Sequence, residues 1–313
     1  MIVALAGGIG AARFLRGLVA VIPPAEIVVV VNTGDDVVLH GLHVSPDLDT
    51  VTYTLAGAVD PERGWGLAGE TWAAMDALDR YGGETWFRLG DRDLATHLYR
   101  TQRLREGAPL SQVTAEIGRA WGLDLTLLPM TDDRVETRVH IAGEGEIGFQ
   151  EYFVGRRHAV PLEGVRYAGG EEAKPAPGVV EAIQAADAVV VCPSNPILSI
   201  APILAVPGIE EALVARRASV VAVSPIVAGA ALKGPADRVL AELGHEVSVV
   251  GVARLYAHLA ATLVVDEADA SLAGAVEAAG MAAVVTPTIM HGVPEAAALA
   301  RAVLAAVDHP TSP

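Results

Sequence analysis

What this chain has little of narrows it first. Its 313 residues include one cysteine, Cys192. No intrachain disulfide is possible, and thiolates cannot assemble a zinc centre. Cys192 closes an apolar run, which reads as a buried structural thiol rather than a nucleophile. Lysine is nearly as scarce, with only Lys174 and Lys233. The 22 basic residues against 38 acidic ones leave a formal net charge of −16. So acidic a balance argues against nonspecific nucleic-acid binding, which needs a basic face. The longest uncharged stretch, 188–209, is broken by Pro193, Asn195, Pro196, Pro202 and Pro207, so it cannot form a membrane helix. The N-terminus is apolar from Ile2 but has no basic leader, and Arg13 interrupts it. The expectation is a cytoplasmic protein without membrane contact. No Gly-x-Ser-x-Gly elbow and no Ser-His-Asp arrangement can be found, and His40 and His43 have no third ligand at metal spacing. Catalysis is therefore expected to rest on positioning and charge neutralisation, not on a covalent intermediate.

Against these absences stands a 52% hydrophobic composition, ample for a large core. Continuous apolar runs at Ile2–Ala6 and Ile27–Val31 recur at 188–192, 219–223, 261–265 and 282–285. Such runs suit strands buried on both faces of a parallel sheet. Helical segments separate them at 11–20, 178–186, 208–217, 235–243, 271–279 and 294–307. The alternation predicts an α/β fold with a doubly wound parallel sheet. Residues 60–170 differ. They read as helices at 71–81, 94–104 and 110–121, the second capped by Asp91 or Asp93, followed by a hairpin of 134–142 and 146–154. The organisation expected is one domain over 1–313, with 60–170 as an insertion covering the carboxyl edge of the sheet. Trp65, Trp72, Trp86 and Trp121 lie in it, either stacking on a planar ring or simply packing.

Ligands of open α/β sheets sit beyond the carboxyl ends of the strands, so the residues after each apolar run carry the chemistry. The first run leads into Gly7-Gly8-Ile9-Gly10, a turn whose N–H groups suit a phosphate or merely link strand to helix. The second leads into Asn32-Thr33-Gly34-Asp35-Asp36, where a dinucleotide dehydrogenase would place one ribose acid at the strand end. Two carboxylates beside a phosphate repel it unless a cation intervenes, and Mg²⁺ is the expected one. Asp47 and Asp49 follow closely, either completing a metal site with Asp35 and Asp36, accepting a proton from a hydroxyl, or capping a helix at 51–57. Ser194 and Asn195 follow the run at 188 and suit a nucleobase, ribose or phosphate oxygen, or a helix cap. Lys233 lies in a glycine-flanked loop where it meets phosphate or solvent. Arg88, close to Asp91 and Asp93, suits a ligand clamp or a structural ion pair.

Together these motifs resemble the 2-phospho-L-lactate transferase family of deazaflavin coenzyme F-420 biosynthesis. The matching segments are LAGGIGAARFLRG at 5–17, VNTGDD at 31–36, SPDLDTVTYTL at 45–55, RGWG at 63–66, LGDRDLATH at 89–97, PMTDDRVET at 129–137, PSNP at 193–196 and SPIV at 224–227. The resemblance implies a Rossmann-like sheet, a homodimer and a Mg²⁺-dependent reaction. In it the ribityl hydroxyl of the deazaflavin Fo attacks lactyl-diphosphoguanosine and GMP leaves. The wording of 63–66 and 90–97 resembles the actinobacterial branch, which implies the enolpyruvyl donor instead. Carried over by position, Asp49 and Arg88 hold Fo, with Asp49 and Asp36 catalytic. Asp35, Asp36 and Asp49 serve the metal. Gly7, Gly8, Gly10, Asn32, Ser194, Asn195 and Lys233 serve the nucleotide and its diphosphate. One departure is Ala228-Gly229, where a Gly-Gly or Gly-Asn turn is expected. The alternative is a nucleotide-sugar-binding regulatory protein of the gluconeogenesis-factor type, which shares the glycine turn and Asp pair. A dehydrogenase fits poorly, because Asn32 replaces the ribose acid.

Overall fold

The structure is a computed structural model that describes residues 1–156 and 160–308. Residues 157–159 of the expected insertion, and 309–313 at the end of the expected domain, lie outside the described residues. Seven strands form the main sheet: β1 (Ile2–Ala6), β2 (Ile27–Val31), β3 (Thr126–Pro129), β4 (Ala188–Val191), β5 (Val220–Val223), β6 (Thr262–Val265) and β7 (Ala282–Val285). All neighbours pair in parallel, in the order β7-β6-β5-β4-β1-β2-β3. This is the doubly wound, Rossmann-like arrangement. Its strand order reverses between β1 and β4, which is where a crevice opens.

The runs are uniformly apolar because each strand feeds two cores. Val3 and Leu5 of β1 join the core on one face, while Ala4 and Ala6 join the other. The period of two along a strand forces this division. Burying each such Val or Leu contributes about 1.5–3 kcal/mol, so the central strands tolerate no polar residue. Helix α1 (Gly8–Leu18) begins three residues earlier than its sequence pattern suggests. It packs so tightly on the C-terminal helix Val293–Asp308 that a Cβ on Gly17 would stand 2.2 Å from the Ala296 backbone.

Between β2 and β4 the chain departs from several expectations. Helix α2 is Pro46–Leu55, not 51–57, so Asp47 and Asp49 lie in its first turn. The segment 60–170 contains helices α3 (Ala73–Asp79), α4 (Asp93–Arg105) and α5 (Leu110–Ala120). It also contributes β3, which belongs to the main sheet itself. The expected hairpin forms between Glu136–Ile141 and Gly145–Gly148, but its second strand stops there and Glu151–Gly155 coils into a π-helical turn. A third strand, Leu162–Ala168, completes an antiparallel sheet beside it. Asp91 caps α3 rather than α4: its carboxylate accepts from the N–H groups of Ala73 and Ala74 at 2.9 Å. Glu70 returns the favour for α4, accepting from Arg92 and Asp93 N–H at 2.8 and 2.9 Å. Each helix is thus started by an acid that precedes the other.

Candidate active site

A cavity of about 860 Å³ opens over the carboxyl ends of the strands at the switch point. Gly7, Gly8, Gly10, Asp35, Asp49, Arg88, Ser194, Asn195 and Lys233 all line it, as the loops after the strands suggested. Asn32 and Asp36 do not reach it.

The glycine turn is built for close approach. A Cβ on Gly7 would sit 2.7 Å from both Asp47 Oδ2 and Ser199 Cβ, and one on Gly10 would sit 2.3 Å from the Pro193 carbonyl oxygen. Gly8 has φ +74, in the left-handed region that favours glycine. Two N–H groups expected to face a phosphate already have partners. Gly7 N–H donates to Ser194 Oγ at 3.3 Å, and that hydroxyl donates back to Gly7 O at 2.9 Å. Ser194 therefore ties the β1 and β4 loops together. Gly8 N–H donates to Asp47 Oδ1 at 2.8 Å, at the first turn of α1. A carboxylate thus stands where the turn would meet an anion. Asn195 caps its own helical turn, accepting from Ile197 and Leu198 N–H, while its Nδ2 is buried without a partner.

Asn32 acts behind the wall: its Nδ2 donates to Asp47 Oδ2 at 2.9 Å, and its Oδ1 accepts Gly34 N–H at 2.8 Å. Asp35 faces the cavity with Oδ1 buried and unpartnered. Burial, then the nearby Asp47 and Asp36, push its carboxyl well above the usual range. Burial also raises Asp47, to about 6, against the opposing bonds from Asn32 and Gly8. Asp36 points away. Its Oδ2 accepts from His43 Nε2 at 2.9 Å and Ser45 Oγ at 2.6 Å, though burial still raises it. His40 sits at the tip of the neighbouring hairpin with φ +52 and does not line the cavity.

Asp35 and Asp47 fit a small divalent cation. They are buried, mutually repelling and oxygen-rich, and a bound cation would offset both charges beside an incoming phosphate. Asp49 differs, because its charge is already balanced. Both its oxygens bond the guanidinium of Arg100, which is 2% exposed. Burial works against the charged guanidinium, but Asp49 holds it in that form. His97 lies between the carboxylates of Asp49 (3.7 Å) and Asp93 (3.3 Å), and Tyr53 donates to Asp93 at 2.5 Å. Asp49, Asp93 and His97 approach within 4.8 Å of one another, a metal-like spacing. The Arg100 guanidinium already bonds Asp49 and stands 3.4 Å from His97 Nδ1, so part of this trio is met by a cationic side chain. Arg100 and the Asp93–His97 pair escaped the sequence reading. Their spacing of i, i+4, i+7 on one face of α4 was the available signal.

Arg88 meets the cavity at its rim, paired with Asp76 at 2.5 Å and lying 5.5 Å over the Trp72 ring. Arg63 lies 5.3 Å from the rings of both Trp65 and Trp72. Trp65, Trp72 and Trp86 line the cavity, whereas Trp121 packs edge-on against Tyr53.

Fold and cavity define an α/β, Rossmann-like class of protein with a cavity at its topological switch point, over a glycine turn flanked by buried carboxylates. The chain belongs to the family described as 2-phospho-L-lactate transferase CofD, whose model matches residues 2–288. It is a transferase of the phospholactate or phosphoenolpyruvate type. It is 51% identical to a phosphoenolpyruvate transferase of Kitasatospora aureofaciens, over 98% of each chain. It is 50% identical to that of Streptomyces coelicolor over 97% of each, and 46% identical to that of Mycolicibacterium smegmatis over 85% of this chain and 86% of the relative. A solved structure of a Bacillus halodurans protein superposes with TM-score 0.64 at 16% identity, covering 97% of this chain and 98% of the other, which shows a shared fold. Among the described residues no single helix is long and apolar enough to cross a membrane.

Proposed function

We propose that the protein transfers a phosphoenolpyruvyl or 2-phospholactyl group from the corresponding diphosphoguanosine to the terminal ribityl hydroxyl of Fo, releasing GMP, in coenzyme F-420 biosynthesis. The observation that carries this reading is the single cavity over the switch point. It joins a glycine turn, a cluster of buried carboxylates and an aromatic rim. The hydroxyl oxygen forms a bond to the phosphorus bearing the enolpyruvyl or lactyl group and gives up its proton to a carboxylate of the site or to water. The bridging P–O bond breaks, and GMP leaves with its electron pair. Asp49, oriented by Arg100, accepts a hydrogen bond from a ribityl hydroxyl. Arg88 and the tryptophans hold the deazaflavin ring at the rim. Asp35 and Asp47 would hold Mg²⁺, which supplies charge neutralisation at the diphosphate. Asp36, with His43 and Ser45, fixes the turn behind them. Gly8 and Gly10 let the diphosphate approach the backbone, with Ser194, Asn195 and Lys233 beside it and Asn32 supporting Asp47. The names of the relatives favour the enolpyruvyl donor. A cytoplasmic homodimer belongs to the same reading.

The alternative, a nucleotide-sugar-binding regulator, has no use for a carboxylate, Asp49, held by Arg100 from behind in a cavity with an aromatic rim. Following GMP by chromatography separates the two. GMP should appear from enolpyruvyl-diphosphoguanosine only when Fo and Mg²⁺ are both present. Tight UDP-sugar binding with no GMP release would favour the regulator.

A further inference from the structure

A second cavity, of about 630 Å³, lies on the far side of the turn that carries Asp35 and Asp36. Its walls are that turn, the hairpin strand Val37–Leu39, and the antiparallel sheet with its π-helical turn. Asp35, Trp86, Phe149 and Gln150 line both this cavity and the one over the switch point, so they form the partition between the two. Gln150 is fixed there by its Nε2, which donates to the Asp35 carbonyl at 3.3 Å. Asp35 is only 7% exposed, and its Oδ1 has no partner. Asp36 does not reach the front cavity but lines this one, and its Oδ1 is likewise buried without a partner. Glu84, Glu136 and Glu151 line it too. Its two arginines are each paired with one of those acids: Arg138 donates to Glu136 at 2.7 Å and Arg156 to Glu151 at 3.0 Å. Asp35, Asp36 and the exposed Glu84 are left without a guanidinium from this wall.

Such a lining repels a nucleotide or a diphosphate and draws a cation. Mg²⁺ gives up its water reluctantly, so a path to its site must pass the hydrated ion. Six waters at about 30 Å³ each need roughly 180 Å³, well within the second cavity. The front approach is narrower in use. A diphosphate lying on the glycine turn, with an acceptor beside Asp49, would cover Asp35 and Asp47 from that side. We propose that the second cavity is the entry and exit for the divalent cation held by Asp35 and Asp47. The free Oδ1 atoms of Asp36 and Asp35 pass the ion through the partition, so it exchanges while the front cavity is full. The inference rests on the metal reading of Asp35 and Asp47 and adds how the ion reaches them.

The test uses Mn²⁺ as the probe and follows its release into an excess of a chelating dye by stopped-flow absorbance, with and without GDP. Gly148 lines the second cavity, and a Cβ there would meet only Glu136 Oε1 at 3.5 Å and Arg138 Nη1 at 3.8 Å. Gly148→Leu therefore fills the passage without straining the strand. A route alters binding and release rates by the same factor and leaves the equilibrium alone, whereas a ligand alters the equilibrium. With GDP closing the front, Gly148→Leu should slow Mn²⁺ release by at least about tenfold. Without GDP the front offers a second exit, and the slowing should stay under about threefold. Mn²⁺ affinity should remain within about twofold of wild type. Glu84→Lys changes an exposed side chain and tests the same route without touching the interior. It should slow Mn²⁺ binding at low salt, and the effect should fade as ionic strength rises. Wild-type release from Gly148→Leu with GDP bound, a weakened affinity in place of slowed release, or unchanged binding rates in Glu84→Lys would overturn the route. A wild-type protein that binds no Mn²⁺ would instead reject the metal reading of Asp35 and Asp47 itself.

Discussion

Arg100 shows how one buried charge shapes this site. A guanidinium out of water is tolerated only when its partners are fixed, and here both Asp49 oxygens meet it. Arg100→Met should cost about 3–5 kcal/mol of stability, because Asp49 would remain buried and unpaired. Denaturant unfolding checks this; a loss below about 1 kcal/mol would mean that the pair is not buried in solution. Asp49→Asn should remove most transfer while circular dichroism stays native. Retained turnover in that variant would reject its role with the acceptor. At Asp47 the sign of a pH effect can be worked out. Its carboxyl is raised from 3.8 to about 6 in the folded chain, so the folded state holds its proton more tightly than the unfolded one. Stability from this group is greatest below about pH 4 and is lost as pH rises to about 6. A cation bound by Asp35 and Asp47 should recover that loss, so Mg²⁺ should raise Tm more near neutral pH than below about pH 5. Equal Mg²⁺ shifts at both pH values would remove these two acids from the metal site.

At the scale of elements, the departure at Ala228-Gly229 is explained by a two-residue turn. Ile226–Val227 pairs with Ala230–Ala231, and both turn residues have positive φ: Ala228 at +49 and Gly229 at +76. Such a turn prefers Gly first, which has no Cβ to crowd the backbone, or Asn, whose short polar side chain hydrogen-bonds locally and offsets the crowding that Ala suffers. Ala228→Asn should therefore stabilise the protein by roughly 0.5–1 kcal/mol, read as a raised melting midpoint. A lowered midpoint would mean that the turn differs in solution. The central strands were legible in the sequence because burial on two faces leaves an unbroken apolar run. β3 was not, since four residues ending in Pro129 at a sheet edge give too short a signal. The second hairpin strand was read too long because Phe149 and Phe153 fit an alternating pattern equally well. In the fold they stack on each other, and the chain coils between them. The reciprocal caps by Glu70 and Asp91 could not be read from spacing at all, since each acid lies about twenty residues from the helix it starts.

At the scale of the whole molecule, the site was legible wherever it lies directly after a strand. Gly7, Asp35 and Ser194 are placed by the sheet, and the switch point gathers them. Asp36 and Asn32 share that loop but face away, because which side a turn residue takes depends on packing that no local pattern records. Arg100 was hidden for a related reason: only the docking of α4 on the hairpin Val37–Val44 turns an ordinary helical arginine into a core residue. The cavity is lined from both sides of one glycine turn. In the proposed transfer, that arrangement would bring an acceptor hydroxyl and a donor diphosphate together without a covalent intermediate. The most direct test is mass spectrometry of the product formed from Fo, Mg²⁺ and each diphosphoguanosine donor. We predict Fo carrying an enolpyruvyl- or lactyl-phosphate, the two distinguished by a mass difference of two hydrogens. Unmodified Fo with both donors, alongside an active control enzyme, would contradict the account.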